Sequence, residues 1–454
     1  SHQAVCAPHI EYCKTSWNKL FGDLAKTHSK WVAGLNSQAK TSGPDEFGLG
    51  DETMWTFLLA LGYAADGIDG VDGQNGVQNT IIDSDTTWSG IQTLGGVVEI
   101  APGVTVTIEA GAEILLEPRS LLSIGGSLNI KGTEEEPVLV GPVGPDGGSA
   151  VVYLDSAESS STIEWAHFSD VDVFLEGDNV DEVFASSFDN SNVRVRGRTQ
   201  ELVMSGCYFH QSIGANGTLL YINDSTNVAV SDGLFEGGTY GIQFNAGMDG
   251  DTLMVYATQF EGQETGIRTG AYTPEMADVD VGESQFVGMR GYGISSYNTW
   301  LGVTGTVIGG PGRYGIYADH QSVLTLISSA VDGFSRSCLL LNGELESTVL
   351  TSEITNCEED GIWASGELTV KDTVIDKVGW DCVDSGGDFL TIDQSSLTNC
   401  GHDGVEAKKG VSISNTLIDT TGSYGIDAED LQLTNSSVLN AGTDGVYVRG
   451  SDIS

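Results

Sequence analysis

The chain has little positive charge, little proline and no long apolar run. Of its 454 residues only 19 are Lys or Arg, against 64 Asp and Glu, so its formal charge is −45. Nucleic acids are bound by clustered cations that release counterions, and a chain this acidic is not built for a duplex or polyphosphate partner. The longest apolar stretch, "MWTFLLALGYAA" at 54–65, falls short of the roughly 20 residues that a transmembrane helix needs. No transmembrane segment is therefore expected. With a charged fraction of only 18%, the chain is not a disordered polyelectrolyte either. It opens "SHQAVCAPH" without a Met, as a processed, secreted N-terminus would.

Cysteine is sparse as well: seven residues, an odd number, widely spread. Cys6 and Cys13 flank Pro8 and are candidates for a disulfide in an oxidising compartment. No Cys-x-x-Cys pair or zinc quartet occurs. The other five are read as small buried residues.

Glycine, by contrast, is abundant, with 61 residues. Residues 1–40 stand apart from the rest. Trp17, Leu20, Phe21, Leu24, Trp31, Val32 and Leu35 recur at three- and four-residue steps, which predicts an amphipathic helix. This segment holds Lys14, Lys19, Lys26, Lys30 and Lys40 against Glu11 and Asp23, and such a segment caps a sheet end or docks on an acidic neighbour. Residues 41–90 are read as a linker. It contains "DGIDGVDGQNG" at 66–76, where Gly falls at every third position; three triplets without Pro cannot hold a triple helix. Asp66, Asp69 and Asp72 in this stretch are candidate calcium ligands, although their spacing is not that of an EF-hand loop.

From about residue 91 the pattern is that of strands. "GVVEIAPGVTVTIEAGAEILLEPRSLLSIGGSLNIKGTEEEPVLV" alternates apolar and polar residues in short runs broken by Gly and Pro. Residues 91–150 are read as entry coils and 151–454 as repeats. In the repeats, Gly or Cys followed by an apolar residue recurs at 241, 266, 293, 315, 338, 361, 382, 404, 425 and 445, in steps of 20–27 residues. Six or seven residues earlier lies a second apolar ladder through Phe235, Phe260, Phe286, Val331, Ile354, Ile375, Leu397 and Val438. A period of this length that holds short strands and no helix is one coil of a parallel β-helix. Like positions then stack about 4.8 Å apart along the axis.

The repeated "S-x-F/I-x-x-x-x-x-x-G-I" pattern over 234–448 and the entry block resemble the right-handed parallel β-helix repeat proteins of the pectate-lyase-like superfold, of the secreted and cell-surface type. The resemblance implies an all-β, right-handed parallel β-helix (solenoid), here with a short α-helical N-terminal segment. It does not imply one activity, because that group includes lyases, hydrolases, epimerases, tailspikes, adhesins and surface proteins.

Aligning the coils places Cys338 and Cys382 in the Gly slot. Cys357 and Cys400 fall in the apolar ladder of Phe334 and Val378. Same-slot cysteines lie two coils apart, about 9.6 Å, beyond the reach of a disulfide, so they are expected to act as core packing. The position before the Gly slot reads Asp360, Asp381 and Asp403 on three consecutive coils, and the position before that reads Arg313, Arg336, Glu359, Trp380 and His402. Facing solvent, this column would resemble the layout by which β-helix lyases and hydrolases hold a sugar chain. Asp381 or Asp403 would be the acid/base and His402 an assisting base, with Asp360 a calcium ligand or second carboxylate. Arg313 and Arg336 would bind an anionic group, and Trp380 would stack a ring. Asp-Gly is also ordinary turn chemistry, which accounts for the same residues without a site. "VRVRGR" at 193–198 puts Arg194, Arg196 and Arg198 on one strand face, for a carboxylated glycan or for pairing with acidic coils. Asn216, Asn223 and Asn435 head Asn-x-Ser/Thr sequons.

The repeats run to the last residues without a polar cap, an edge that a neighbouring copy would cover by head-to-tail or lateral self-association. These features point to an extracellular or cell-surface structural or adhesive protein, a fibre, filament or surface-layer subunit or adhesin, with a flank that binds calcium or polysaccharide. The alternatives are a polysaccharide lyase or glycoside hydrolase that uses the Asp/His column, and a tailspike-like protein.

Overall fold

The computed structural model describes residues 79–450, apart from 145–149, 156–159, 179, 226, 248–250, 272–275 and 388. The chain divides into two units, Ser1–Gly76 and Val77–Ser454. The helix expected over 1–40, the Cys6–Cys13 pair and the Asp66, Asp69 and Asp72 cluster all lie outside the described residues.

Residues 79–450 form a right-handed parallel β-helix of about 16 coils, and every strand pairing is parallel. Most coils contribute three short strands, and in a few two of them run together, as in Tyr208–Asn223. In one coil the three are Thr265–Ala271 on the first sheet, Ala277–Gly282 on the second and Gln285–Val287 on the third. The next coil returns with Tyr292–Tyr297, Thr299–Thr304 and Val307–Gly309, paired in register with the strands below. Strands this short stay ordered because each one between the first and last described coils is hydrogen-bonded on both sides.

The core is a set of stacked ladders. On the third sheet, Phe168, Phe188, Phe209, Phe235, Phe260 and Phe286 point inward and stack ring on ring, with centroids 4.4–5.1 Å apart. Ile308, Val331, Ile354, Ile375, Leu397 and Ile418 continue the column. The Ser of the repeated sequence pattern has a physical role at the corner between the second and third sheets. Ser284, Thr306, Ser329, Ser352, Thr373, Ser395 and Thr416 are buried. Each hydroxyl accepts the backbone N–H of its counterpart one coil earlier, at 3.2–3.4 Å. The residue before each hydroxyl turns the corner with φ near +50°, as at Ser328 and Asn415. The hydroxyl ladder thus satisfies N–H groups that the bend removes from the sheet.

The cysteines differ from expectation. Cys338 bonds Cys357, and Cys382 bonds Cys400, with Cα atoms 5.5 and 5.4 Å apart. The sequence comparison paired equal slots two coils apart. The bonds instead join two different columns on adjacent coils, from the Gly slot of one coil to the apolar ladder of the next. Where no bond forms, the slot needs glycine. A Cβ on Gly361 would lie 2.6 Å from Ile375 Cγ2 and 3.4 Å from Val378 Cγ1, and Val378 is the residue that replaces Cys in the ladder there. In the two coils where the slot holds Cys, its side chain is bonded to the Cys that takes the Val378 place in the ladder. Cys207, buried in the earlier coils, is the free cysteine among the described residues.

Candidate functional site

The aspartates before the Gly slot turn inward. Asp360, Asp381 and Asp403 are all buried. Each carboxylate accepts a backbone N–H from the next coil: Asp381 N–H to Asp360 Oδ1 at 3.2 Å, Asp403 N–H to Asp381 Oδ1 at 2.7 Å, and Tyr424 N–H to Asp403 Oδ1 at 2.8 Å. Burial pushes the Asp360 carboxyl up to about 6 and raises that of Asp381. His402 lies exposed above them, its Nδ1 2.9 Å from Asp381 Oδ1 and 3.5 Å from Asp403 Oδ1. The hydrogen bond to Asp381 raises the imidazole above its ordinary value. These carboxylates therefore hold a corner together, and Asp381 and Asp403 also contact His402.

Three residues further along each coil the strand faces outward, and there the first sheet carries an unbroken column. In register it reads Arg268, Ser295, Tyr317, Leu340, Trp363, Asp384, Glu406, Asp427 and Tyr447. Tyr292 and Tyr314 flank Tyr317, with ring centroids 5.6–5.9 Å apart. This aromatic patch runs through Trp363 into carboxylates. One oxygen each of Asp381, Asp384 and Glu406 lie within 4.8 Å of one another, as do ligand atoms of Asp381, His402 and Asp403. Among the described residues these are the groups that could hold a cation. Burial raises the Asp384 carboxyl. Lys408 Nζ lies 3.9 Å from Asp384, and Arg449 Nε 2.8 Å from Asp427. Sequence reasoning picked out the corner column and missed this one. The signal was the period-two alternation after the Gly slot, which makes the second residue past the glycine the outward one.

The remaining candidates are spread along the molecule. Arg336 is exposed, and its Nη1 donates to Tyr314 Oη at 3.2 Å, which ties it to the aromatic patch. Arg313 and Trp380 are exposed on corners three coils apart, Trp380 at 59%. Arg194 lies many coils away, its guanidinium 5.4 Å from the Phe174 ring centroid, and Arg196 stands in register with Glu176 and Asn223. Arg198 does not share their face. Gly197 takes φ +64° and ends the alternation, so Arg198 is buried and its Nη1 donates to Gly177 O at 2.8 Å.

Residues 292–454 match the family model described as a right handed beta helix region. Together with the architecture this defines the protein as a right-handed parallel β-helix. No curated protein matches it. Among solved structures it is similar to the periplasmic alginate epimerase AlgG, at 10% identity over 77% of this chain and 78% of that one, with a TM-score of 0.33. It is also similar to tailspike protein 3 of bacteriophage CBA120, at 11% identity over 75% and 57% with a TM-score of 0.31. A third is PfbA, a surface adhesin of Streptococcus pneumoniae, at 12% identity over 75% and 85% with a TM-score of 0.27. The functions named for these three differ, and a likeness at this identity shows the fold alone. Among the described residues no helix is long and apolar enough to cross a membrane.

Proposed function

We propose that this is an extracellular carbohydrate-binding β-helix, a surface or adhesive protein that lays a glycan along the outward column of its first sheet. The observation that carries this reading is the in-register passage from the Tyr292, Tyr314 and Tyr317 rings through Trp363 to Asp384 and Glu406. Ring faces spaced along the axis stack sugars, and carboxylates accept hydrogen bonds from hydroxyls. Calcium taken up by Asp381, Asp384 and Glu406 would let the same face accept an anionic glycan despite its own charge. Two buried disulfides fit an oxidising compartment. The test is affinity electrophoresis against a panel of polysaccharides. Retardation by at least one polymer is expected, and Trp363→Ala should weaken it about tenfold, the scale of an aromatic hot spot. Equal retardation of parent and variant would move the site elsewhere.

The carboxylate cluster favours a second reading, a glycan-cleaving enzyme on the same face. Asp384, with its raised carboxyl, would be the acid and Glu406 the second carboxylate, with Asp381 and His402 holding them in place. Release of reducing ends by the parent, abolished in Asp384→Asn and Glu406→Gln, would select this reading. Retardation without cleavage would select the first.

A further inference from the structure

We propose that the outward face of the second sheet holds a separate site for an organic ammonium group. Four consecutive strands, Thr252–Tyr256, Ala277–Gly282, Thr299–Thr304 and Val323–Ile327, present three outward columns there in full register. The first column runs Thr252, Asp278, Trp300, Val323, and the second Met254, Asp280, Gly302, Thr325. The third runs Tyr256, Gly282, Thr304, Ile327. Two positions in this grid have no side chain. The Tyr256 ring reaches over Gly282 and the Asp280 carboxylate reaches over Gly302, where a Cβ would strike each of them. Further along the second column the positions fill with Thr348, Thr369 and Thr391, so the depression is confined to these coils. It is an open groove of about 690 Å³.

The chemistry of its walls is specific. Trp300 is half exposed, as are Met254 and Tyr256, so a ring face and a polarizable thioether border the groove. Asp278 lies directly beside Trp300 in register, and Asp280 leans over Gly302. Neither carboxylate has a hydrogen-bond or ion-pair partner among the described residues, and no Lys, Arg or His lines the groove. Desolvation and the Asp278 charge together raise the Asp280 carboxyl. A cation placed there would relieve that repulsion. Calcium is a poor fit, because it asks for six to eight oxygen ligands and the groove offers Gly, Trp and Met between its two carboxylates. A substituted ammonium suits all the parts at once: its alkyl surface lies on Trp300 and Met254, its charge is attracted by the ring face, and the carboxylates neutralise it. The cation comes either from a small quaternary amine or from a lysine side chain of a partner.

Calorimetric titration of the full chain tests this. The probes are choline, its uncharged isostere 3,3-dimethylbutan-1-ol, and a trilysine peptide. Choline or trilysine is expected to bind about tenfold or more tighter than the neutral isostere, given the combined cation–π and charge contributions. The tighter of the two cations identifies the source. Trp300→Ala and Asp280→Asn should each weaken that cation about tenfold, whereas Thr391→Ala, on the same sheet outside the groove, should leave it unchanged. All three positions face outward, and matching far-UV circular dichroism will show that the variants fold. The proposal is overturned if the isostere binds as well as the cations, if no probe binds, or if affinity survives Trp300→Ala. Calcium displacing choline at equimolar concentration would also overturn it in favour of a metal site.

Discussion

The coils from Phe168 to Phe286 and those from Cys338 to Cys400 share one backbone plan and lock it differently. In the earlier coils six phenylalanines stack through the core, the pre-slot position carries Tyr or Thr where it reaches the first sheet, and the buried cysteine is free. In the later coils the ladder is aliphatic, two disulfides tie successive coils, and the pre-slot position carries buried Asp. Stacked rings bury large area in one column, while smaller aliphatic residues bury less. The covalent and carboxylate ladders occur where that packing is lighter. The difference also reaches the surface: tyrosines give way to carboxylates along the first sheet in the same stretch.

Three measurements would sharpen or break this contrast. Phe235→Ala removes a ring stacked on both sides and should cost about 4 kcal/mol, read as a lower denaturant midpoint for the earlier coils. A loss below about 1 kcal/mol would show that the stack adjusts and is not what locks those coils. Replacing Cys338, Cys357, Cys382 and Cys400 with Ala opens loops of 19 and 18 residues and should cost about 3 kcal/mol per bond. Reductant under denaturing conditions should reproduce that loss and leave the melting of a Phe235→Ala variant otherwise unchanged. Loss spread evenly over both regions would contradict the division of labour. The smallest effect concerns pH. The Asp360 carboxyl is raised from 3.8 to about 6 in the folded protein. The folded state therefore holds this proton more tightly, and the group's contribution to stability declines as pH rises through that window. Asp360→Asn keeps an acceptor for the Asp381 N–H and should flatten the decline by about 2 kcal/mol between pH 4 and pH 7. An unchanged slope would mean that Asp360 titrates as an exposed group.

The retained alternation after each glycine, the period of 20–27 residues and the Phe235 to Val438 ladder were enough to specify a parallel β-helix, because a fold in which each coil touches only its neighbours is written almost linearly in its repeat. The "S-x-F/I" pattern was legible too, although its hydroxyl ladder was not. Which partners a residue meets across coils was decided by tertiary structure. Cys338 meets Cys357 because two unlike columns of adjacent coils come within 5.5 Å of each other. Asp360, Asp381 and Asp403 turn inward because the corner leaves an N–H in need of an acceptor. The outward column of Trp363, Asp384 and Glu406, and the places over Gly282 and Gly302 into which Tyr256 and Asp280 lean, exist only once strands from different coils lie side by side. Repetition along the chain dictates the scaffold, whereas the sites arise from residues that break the repeat, and their neighbours lie one coil away in space and about twenty residues away in sequence.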